Sequence, residues 1–224
     1  MKLIATLALA ASAAFPAAAQ SIQMQPLPIM LPKPLFEGTP APPRVPNLEK
    51  PLGKPRPPFL APAGTANVAL HKPVSGSDSD PVIGNLEMIT DGNKAGTDGT
   101  YVELKPGVQN VVIDLEAKCA IYAILLWHFH KEARAYAGVV VQVADDPDFI
   151  TNVRTLFNND TNNETGNGIG KDMRYVETSE GKLIDAKGVE ARYVRLISNG
   201  SDKTPANHYI EVEVFGRPSR QANQ

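Results

Sequence analysis

The sequence predicts an all-β sandwich behind a signal peptide and a proline-rich extended arm. Three observations predict the sandwich. Short runs of β-branched and aromatic residues recur along residues 66–217, clusters of Gly, Asn, Asp, Ser and Pro stand between them, and no stretch keeps the apolar spacing of a long helix. Such runs, bounded by turn formers, read as strands, and strands without helices pack sheet on sheet. The 224 residues are 42% hydrophobic and 21% charged, with net charge −2, which suits one globular domain plus a less ordered part. The near-neutral balance offers no basic footprint for a nucleic-acid partner. No internal repeat is visible.

Residues 1–19 have the pattern of a signal peptide. Lys2 supplies the positive start, residues 3–15 the apolar run, and residues 17–19 (AAA) a small-residue cleavage site before Gln20. The apolar run is shorter than the roughly 18–20 residues a membrane span needs, and no other stretch is long enough. The expected destination is export: periplasm, cell envelope or medium. Cys119 is the single cysteine, so no internal disulfide is available. It opens an apolar run and reads as a buried, inert thiol. Residues 20–65 hold most of the chain's 20 prolines. Proline fixes φ and removes the backbone donor, so the arm reads as an extended, polyproline-like linker. Its apolar residues, Leu27, Ile29, Met30, Leu31, Leu35 and Phe36, are many for a pure spacer, which leaves open that part of it packs on the domain.

The domain is expected over residues 66–217, with a disordered tail at 218–224. Residues 67–70 form a short first strand, 75–80 a polar turn, and 86–89 a short helical turn into the D-G-N loop at 91–93. Gly96, Gly99 and Pro106 keep the next segment irregular. Residues 111–115 (VVIDL) are a strand and 116–118 a turn. Residues 121–130 (IYAILLWHFH) are apolar on both faces, as in a strand covered on both sides. Residues 138–144 are another strand, turned by the acidic 145–148. Strands at 154–157 and 173–178 bracket an Asn-rich loop, 158–172. Residues 193–197 (YVRLI) and 209–215 are the last two strands. In the final one Ile210, Val212 and Val214 share one face, and Glu211, Glu213 and Phe215 the other.

Four segments, ARYVRL at 191–196, EVEVFG at 211–216, NVALHKPV at 67–74 and ITDGN at 89–93, stand in an order and spacing that resembles the discoidin, or coagulation-factor-5/8 type C, domains. Those are close to family-32 carbohydrate-binding modules and the sugar-binding module of galactose oxidase. The resemblance covers about residues 66–217. It implies a galactose-binding-domain-like jelly roll whose first and last strands are neighbours. It also implies a structural calcium ion. Asp91 and Glu211 would give carboxylates, Asn93 a carbonyl, and Met88 and Ile210 match two backbone positions. The family's Thr position falls on Gly96, so Thr97 takes it only with a one-residue insertion, and Thr100 competes. Calcium takes six to eight oxygen ligands, which this set suits. The plain alternative is a D-G-N turn closed by Asx hydrogen bonds, with Glu211 solvated.

In sugar-binding relatives, loops at one end of the sandwich carry rings for the sugar's C–H faces and polar groups for its hydroxyls. By that resemblance the ligand residues are His128, His130, Arg134 and Tyr136 from one loop, Asn199, Asn207 and His208 from another, and Tyr101. Residues 137–138 (AG) stand where galactose-type relatives carry an arginine, which argues against galactose. Trp127 reads either as core or as platform. On a strand, His128 and His130 would project from one face about 6.6–6.8 Å apart, which admits a transition metal. The loop 160–166 lacks the glycine and distal glutamate of a calcium loop. Asn159, Asn163 and Asn199 head N-glycosylation patterns. No nucleophile elbow, phosphate-binding loop or placed carboxylate pair is present, so no catalytic residue is assigned. The expected function is non-catalytic carbohydrate binding with a structural calcium. The alternative is an adhesive or structural domain at the cell envelope that docks a protein or surface through its arm. Neither reading sets an oligomeric state.

Overall fold

The computed structural model describes residues 22–35, 41 and 43–219. The signal peptide, Phe36 and most of the C-terminal tail lie outside the described residues. In chain order the strands are β1 (Met24–Pro26), β2 (Leu60–Pro62), β3 (Ala66–Asn67) and β4 (Val74–Gly76). A 3-10 turn follows at Leu86–Thr90. Then come β5 (Val102–Leu104), β6 (Gln109–Trp127), β7 (Val140–Ala144) and β8 (Arg154–Asn158), and last β9 (Lys182–Ser198), β10 (Asn207–Tyr209) and β11 (Glu211–Pro218).

All strand pairs are antiparallel, and two long strands organise them. Residues 109–114 of β6 pair with β4 and with the end of β9, which continues to β7 and β8. Residues 119–127 pair instead with the start of β9 and with β11, which continues to β3. Register shifts at Asp114/Cys119 and Ile121/Ala123 separate the halves. Glu116 at φ 62 makes the first bend, and Lys187 and Gly188, also at positive φ, make the matching one in β9. The expected turn at 116–118 is therefore a bulge inside one continuous strand, because bulges bend a ladder without ending it. The two halves form the layers of a sandwich. Val111, Ile113, Val194 and Leu196 from one layer and Ile124, Leu126, Val212 and Val214 from the other join a single buried core. The first and last domain strands meet, with Phe215 opposite Asn67.

Several expectations change. β6 ends at Trp127, so His128 and His130 lie beyond the strand and share no strand face. Residues 173–178 form no strand; Arg174 makes one parallel bridge to Leu48. The last strand is split at Ile210: β10 pairs with β5, whereas β11 pairs with β6 and β3.

The arm does more than space. β1 and β2 pair, Met24 opposite Pro62 and Pro26 opposite Leu60, so the arm leaves and returns along one line. Leu27 and Ala61, with half-buried Ile29 and Phe59, cover Ala123, Leu125, Trp127 and Phe215 on the outside of the β6–β11 layer. This explains why 121–127 is apolar on both faces and why residues 211–216 of β11 are buried throughout. Trp127 is a core side chain. It is fully buried, its Nε1 donates to the Ser179 carbonyl at 3.0 Å, and Gly181 lies against its ring.

Candidate functional site

Two of the regions singled out by sequence come together in space. At the loop end of the sandwich, residues 128–137 leave β6, residues 199–208 lead into β10, and Tyr101 enters β5. Tyr101 and Phe129 meet edge to face at 4.9 Å, and His208 lies 5.9 and 5.6 Å from them. The Arg134 guanidinium sits 4.5 Å from the centre of the Phe129 ring. Its Nη2 pairs with Glu132, while Nε and Nη1 have no hydrogen-bond partner among the described residues. A guanidinium over a ring is held by cation–π attraction, which leaves its in-plane donors directed elsewhere.

Beneath this group lies a buried polar cluster. The Tyr136 hydroxyl is 3.1 Å from His208 Nδ1, and His208 Nε2 is 3.0 Å from Glu103. The arrangement fits a neutral imidazole that accepts from tyrosine and donates to the carboxylate. Burial, and then the Arg134 charge, push the His208 pKa down to about 4. His128 stacks on Tyr136 at 4.2 Å, and its Nδ1 lies 3.3 Å from both Glu177 and the Tyr175 hydroxyl. Burial pushes the Tyr136 and Tyr175 hydroxyls well up.

The other named residues disperse. His130 is also buried, but its Nε2 donates to the Lys94 carbonyl at 3.0 Å, away from His128. His128 turns to Glu177 and His130 to the Lys94 carbonyl, so the two rings do not converge as a ligand pair, and among the described residues no three His, Cys, Asp or Glu side chains are grouped. Asn207 is spent on structure: its Oδ1 accepts from Ser198 and Gly200, and its Nδ2 donates to the Lys105 and Gly107 carbonyls. Asn199 donates to Glu164 at 3.0 Å. Asn159 is fully buried, its Oδ1 accepting from Val139, so it is closed to glycosylation.

The acidic turn and the closing strand do meet. Glu211 Oε2 accepts from the Gly92 amide at 3.0 Å, and Asp91 Oδ1 accepts from Asn93 at 2.7 Å. Glu211 is fully buried, and its Oε1 has no hydrogen-bond partner among the described residues. Burial pushes its pKa up to about 9, with the Glu213 and Asp91 charges adding to the rise. Glu213, two residues on, pairs with Lys94, whose Nζ also sits 5.3 Å from the Trp127 ring centre. Exposed Thr97 turns its carbonyl to Thr100 at 3.0 Å. Gly96, at φ +64, packs so closely on Ile210 and His130 that a Cβ there would lie 2.9 Å from Ile210. That crowding accounts for glycine where the family pattern has threonine. Met88 is half-buried in the middle of the 3-10 turn. Sequence reasoning passed over Glu103, Lys94 and Glu213 as site residues. Glu213 was legible from its place two residues from Glu211 on one strand face; the rest carry no local signal.

No protein-family model matches the chain, and no curated protein matches it. Among solved structures it is similar to chitosan-binding module 1 of a chitosanase/glucanase from Paenibacillus sp. IK-5, at 21% identity over 67% of this chain and 98% of that chain, TM-score 0.45. It is similar to a fucose-binding module from Streptococcus pneumoniae, at 19% identity over 66% of this chain and 96% of that one, TM-score 0.46. It is also similar to a family 89 glycoside hydrolase from Clostridium perfringens, at 17% identity over 68% of this chain, TM-score 0.49, and there it spans 15% of the enzyme. At such identities and scores the likeness assigns neither family nor ligand. The sandwich rests on its own strand pairing.

Proposed function

We propose that the chain is an exported, non-catalytic binding module whose loop end takes carbohydrate, and that calcium braces its D-G-N turn. The observation that carries the first part is the gathering of Tyr101, Phe129, His208 and Arg134, with two buried guanidinium donors that have no acceptor among the described residues. A sugar offers both complements, C–H faces for rings and hydroxyls for donors. A saccharide edge against Tyr101, which is half-exposed, would accept from Arg134 once the loop covering its buried Nε and Nη1 opens. Export rests on the pattern of residues 1–19.

Calcium is supported by the donor set. A buried carboxylate oxygen with no partner among the described residues, near a second carboxylate, is an arrangement a hard cation stabilises. Asp91 and Glu211 would hold the ion, with Asn93 beside them. Its role would be to tie the turn to β11.

The test is a glycan array probed with the full mature chain, arm included, because the arm covers Leu125 and Phe215. Arg134→Lys keeps the charge and removes the fork, and is expected to lose binding without loss of melting temperature. A wild-type chain that binds no glycan, or an Arg134→Lys variant that binds as well as wild type, would refute the reading.

A further inference from the structure

The arm also builds a site of its own. Residues 50–55 arch over the loop 178–183, and the arch is pinned at both ends. At one end the Glu49 amide donates to the Arg174 carbonyl at 2.8 Å, and the Glu49 carboxylate accepts from Lys182 at 2.8 Å. At the other, Arg56 donates through Nη1 to the Gly181 carbonyl and through Nη2 to the Glu180 carbonyl, both at 2.9 Å. Between the pins Pro51 and Pro55 stiffen the span, and Gly53 turns it at φ +66. Under it lies a cleft of about 510 Å³ that reaches Thr178 and Ser179. That volume falls in the roughly 300–1,000 Å³ range of ligand pockets.

The charges around this cleft are unbalanced. Lys50, Lys54, Arg56 and Lys182 face it against two carboxylates, Glu49 and Glu180. Lys182 pairs with Glu49, the Glu180 carboxylate accepts from the Arg56 backbone amide, and the Arg56 guanidinium is spent on the Glu180 and Gly181 carbonyls. Lys50 and Lys54 are exposed and have no ion-pair partner among the described residues. Leu52, 62% exposed, stands between them.

We propose that this cleft binds an acidic oligosaccharide, a chain of sugar rings carrying spaced carboxylates. Phosphate recognition favours a bidentate guanidinium or a nest of amides, and here both Arg56 terminal nitrogens are already committed to carbonyls. What remains is two point charges four residues apart on a stiff arch, which suits single carboxylates at intervals. The hydroxyls of Thr178 and Ser179 can meet sugar hydroxyls, and Leu52 can lie on a C–H face. The site shares no residue with the loop end and does not depend on that reading.

The probe is tetragalacturonate, titrated calorimetrically into the full mature chain, with a neutral cello-oligosaccharide of equal length beside it. Binding is expected for the acidic sugar alone, weakened about tenfold between low salt and roughly 0.5 M salt, because exposed charge pairs are screened. The double variant Lys50→Glu/Lys54→Glu is expected to lose binding at an unchanged melting temperature, both side chains being exposed. Arg134→Lys is expected to leave it intact. Unchanged binding in the double variant overturns the proposal. So does equal binding of the neutral sugar, equal binding of hexaglutamate, loss of binding in Arg134→Lys, or no binding of the acidic sugar.

Discussion

If the arm is part of the shell, truncating one of its inward side chains must cost as much as truncating a core residue. Leu27 is the sharpest probe. It is 9% exposed, its amide donates to Phe59 at 2.9 Å, and its side chain belongs to the cluster over Leu125, Trp127 and Phe215. Full burial of a leucine contributes roughly 1.5–3 kcal/mol, and Leu→Ala in well-packed sites costs about 2–5 kcal/mol. Leu27 sits at the rim, where neighbours relax more easily, so Leu27→Ala is expected to cost about 2–3 kcal/mol. For a domain of roughly 200 residues that lowers the melting temperature by about 5–10 °C. Met30, three residues on and 78% exposed, is the control, and Met30→Ala should change stability by no more than about 0.5 kcal/mol. The assay is urea unfolding of both variants, followed by Trp127 fluorescence. A double-mutant cycle of Leu27→Ala with Leu125→Ala should return a coupling of about 0.5 kcal/mol or more. Equal midpoints for Leu27→Ala and Met30→Ala would show that the arm lies on the sandwich without stabilising it.

Calcium at about one hundred times its dissociation constant should add about 2.7 kcal/mol of stability, read as a chelator-sensitive rise in melting temperature that Glu211→Gln abolishes; identical melts with and without chelator would rule the ion out. Gly181→Ala places a Cβ 2.7 Å from the Trp127 ring at a φ of +63, so it is expected to cost roughly 1–3 kcal/mol and shift the emission of the chain's single tryptophan. An unshifted spectrum would mean that the loop 178–183 yields freely. His208 is held neutral, its pKa moved from 6.5 to about 4, so the unfolded chain binds the extra proton in that window. Stability is therefore full above about pH 6.5 and falls as pH drops toward 4, by roughly 2–3 kcal/mol from this group. His208→Gln should flatten that part of the urea-midpoint profile relative to wild type, and parallel profiles would show that His208 is charged in the fold.

How much of this was legible in the sequence follows from how local each signal is. Turn chemistry and β-branched runs are local, and they marked the loops at 91–93 and 198–207 and the strands at 111–115, 138–144 and 193–197. The long-range pairing of the D-G-N turn with Glu211 was reachable only through the order of four motifs. Proline content argued for a spacer, because proline cannot serve a central ladder. It did not exclude a three-residue edge pair such as β1–β2, in which Pro26 and Pro62 take part. The clue that decides between spacer and cover is the both-faced apolar run at 121–127. An outward face carrying Ala123, Leu125 and Trp127 needs a cover, and the arm was the one segment with apolar residues to spare.

The candidate site was legible by residue type and illegible by direction. His128 and His130 looked like a pair because a strand would aim both the same way. The strand stops one residue earlier, and the rings part to Glu177 and to the Lys94 carbonyl. Asn207, a plausible ligand in any loop, is consumed by holding its own loop closed. Arg134 remains the proposed binding residue for the opposite reason: two of its buried donors have no partner among the described residues, and guanidinium groups are seldom left so. Unspent donors and acceptors, more than residue identity, locate function in this chain. By that measure the loop end has Arg134, the D-G-N turn has the unpartnered oxygen of Glu211, and the arm has Lys50 and Lys54. Asn207 shows the converse: its polar atoms are all satisfied, so it offers nothing to a ligand, and an apolar replacement would strip a partner from the Ser198 hydroxyl, the Gly200 amide and the Lys105 and Gly107 carbonyls.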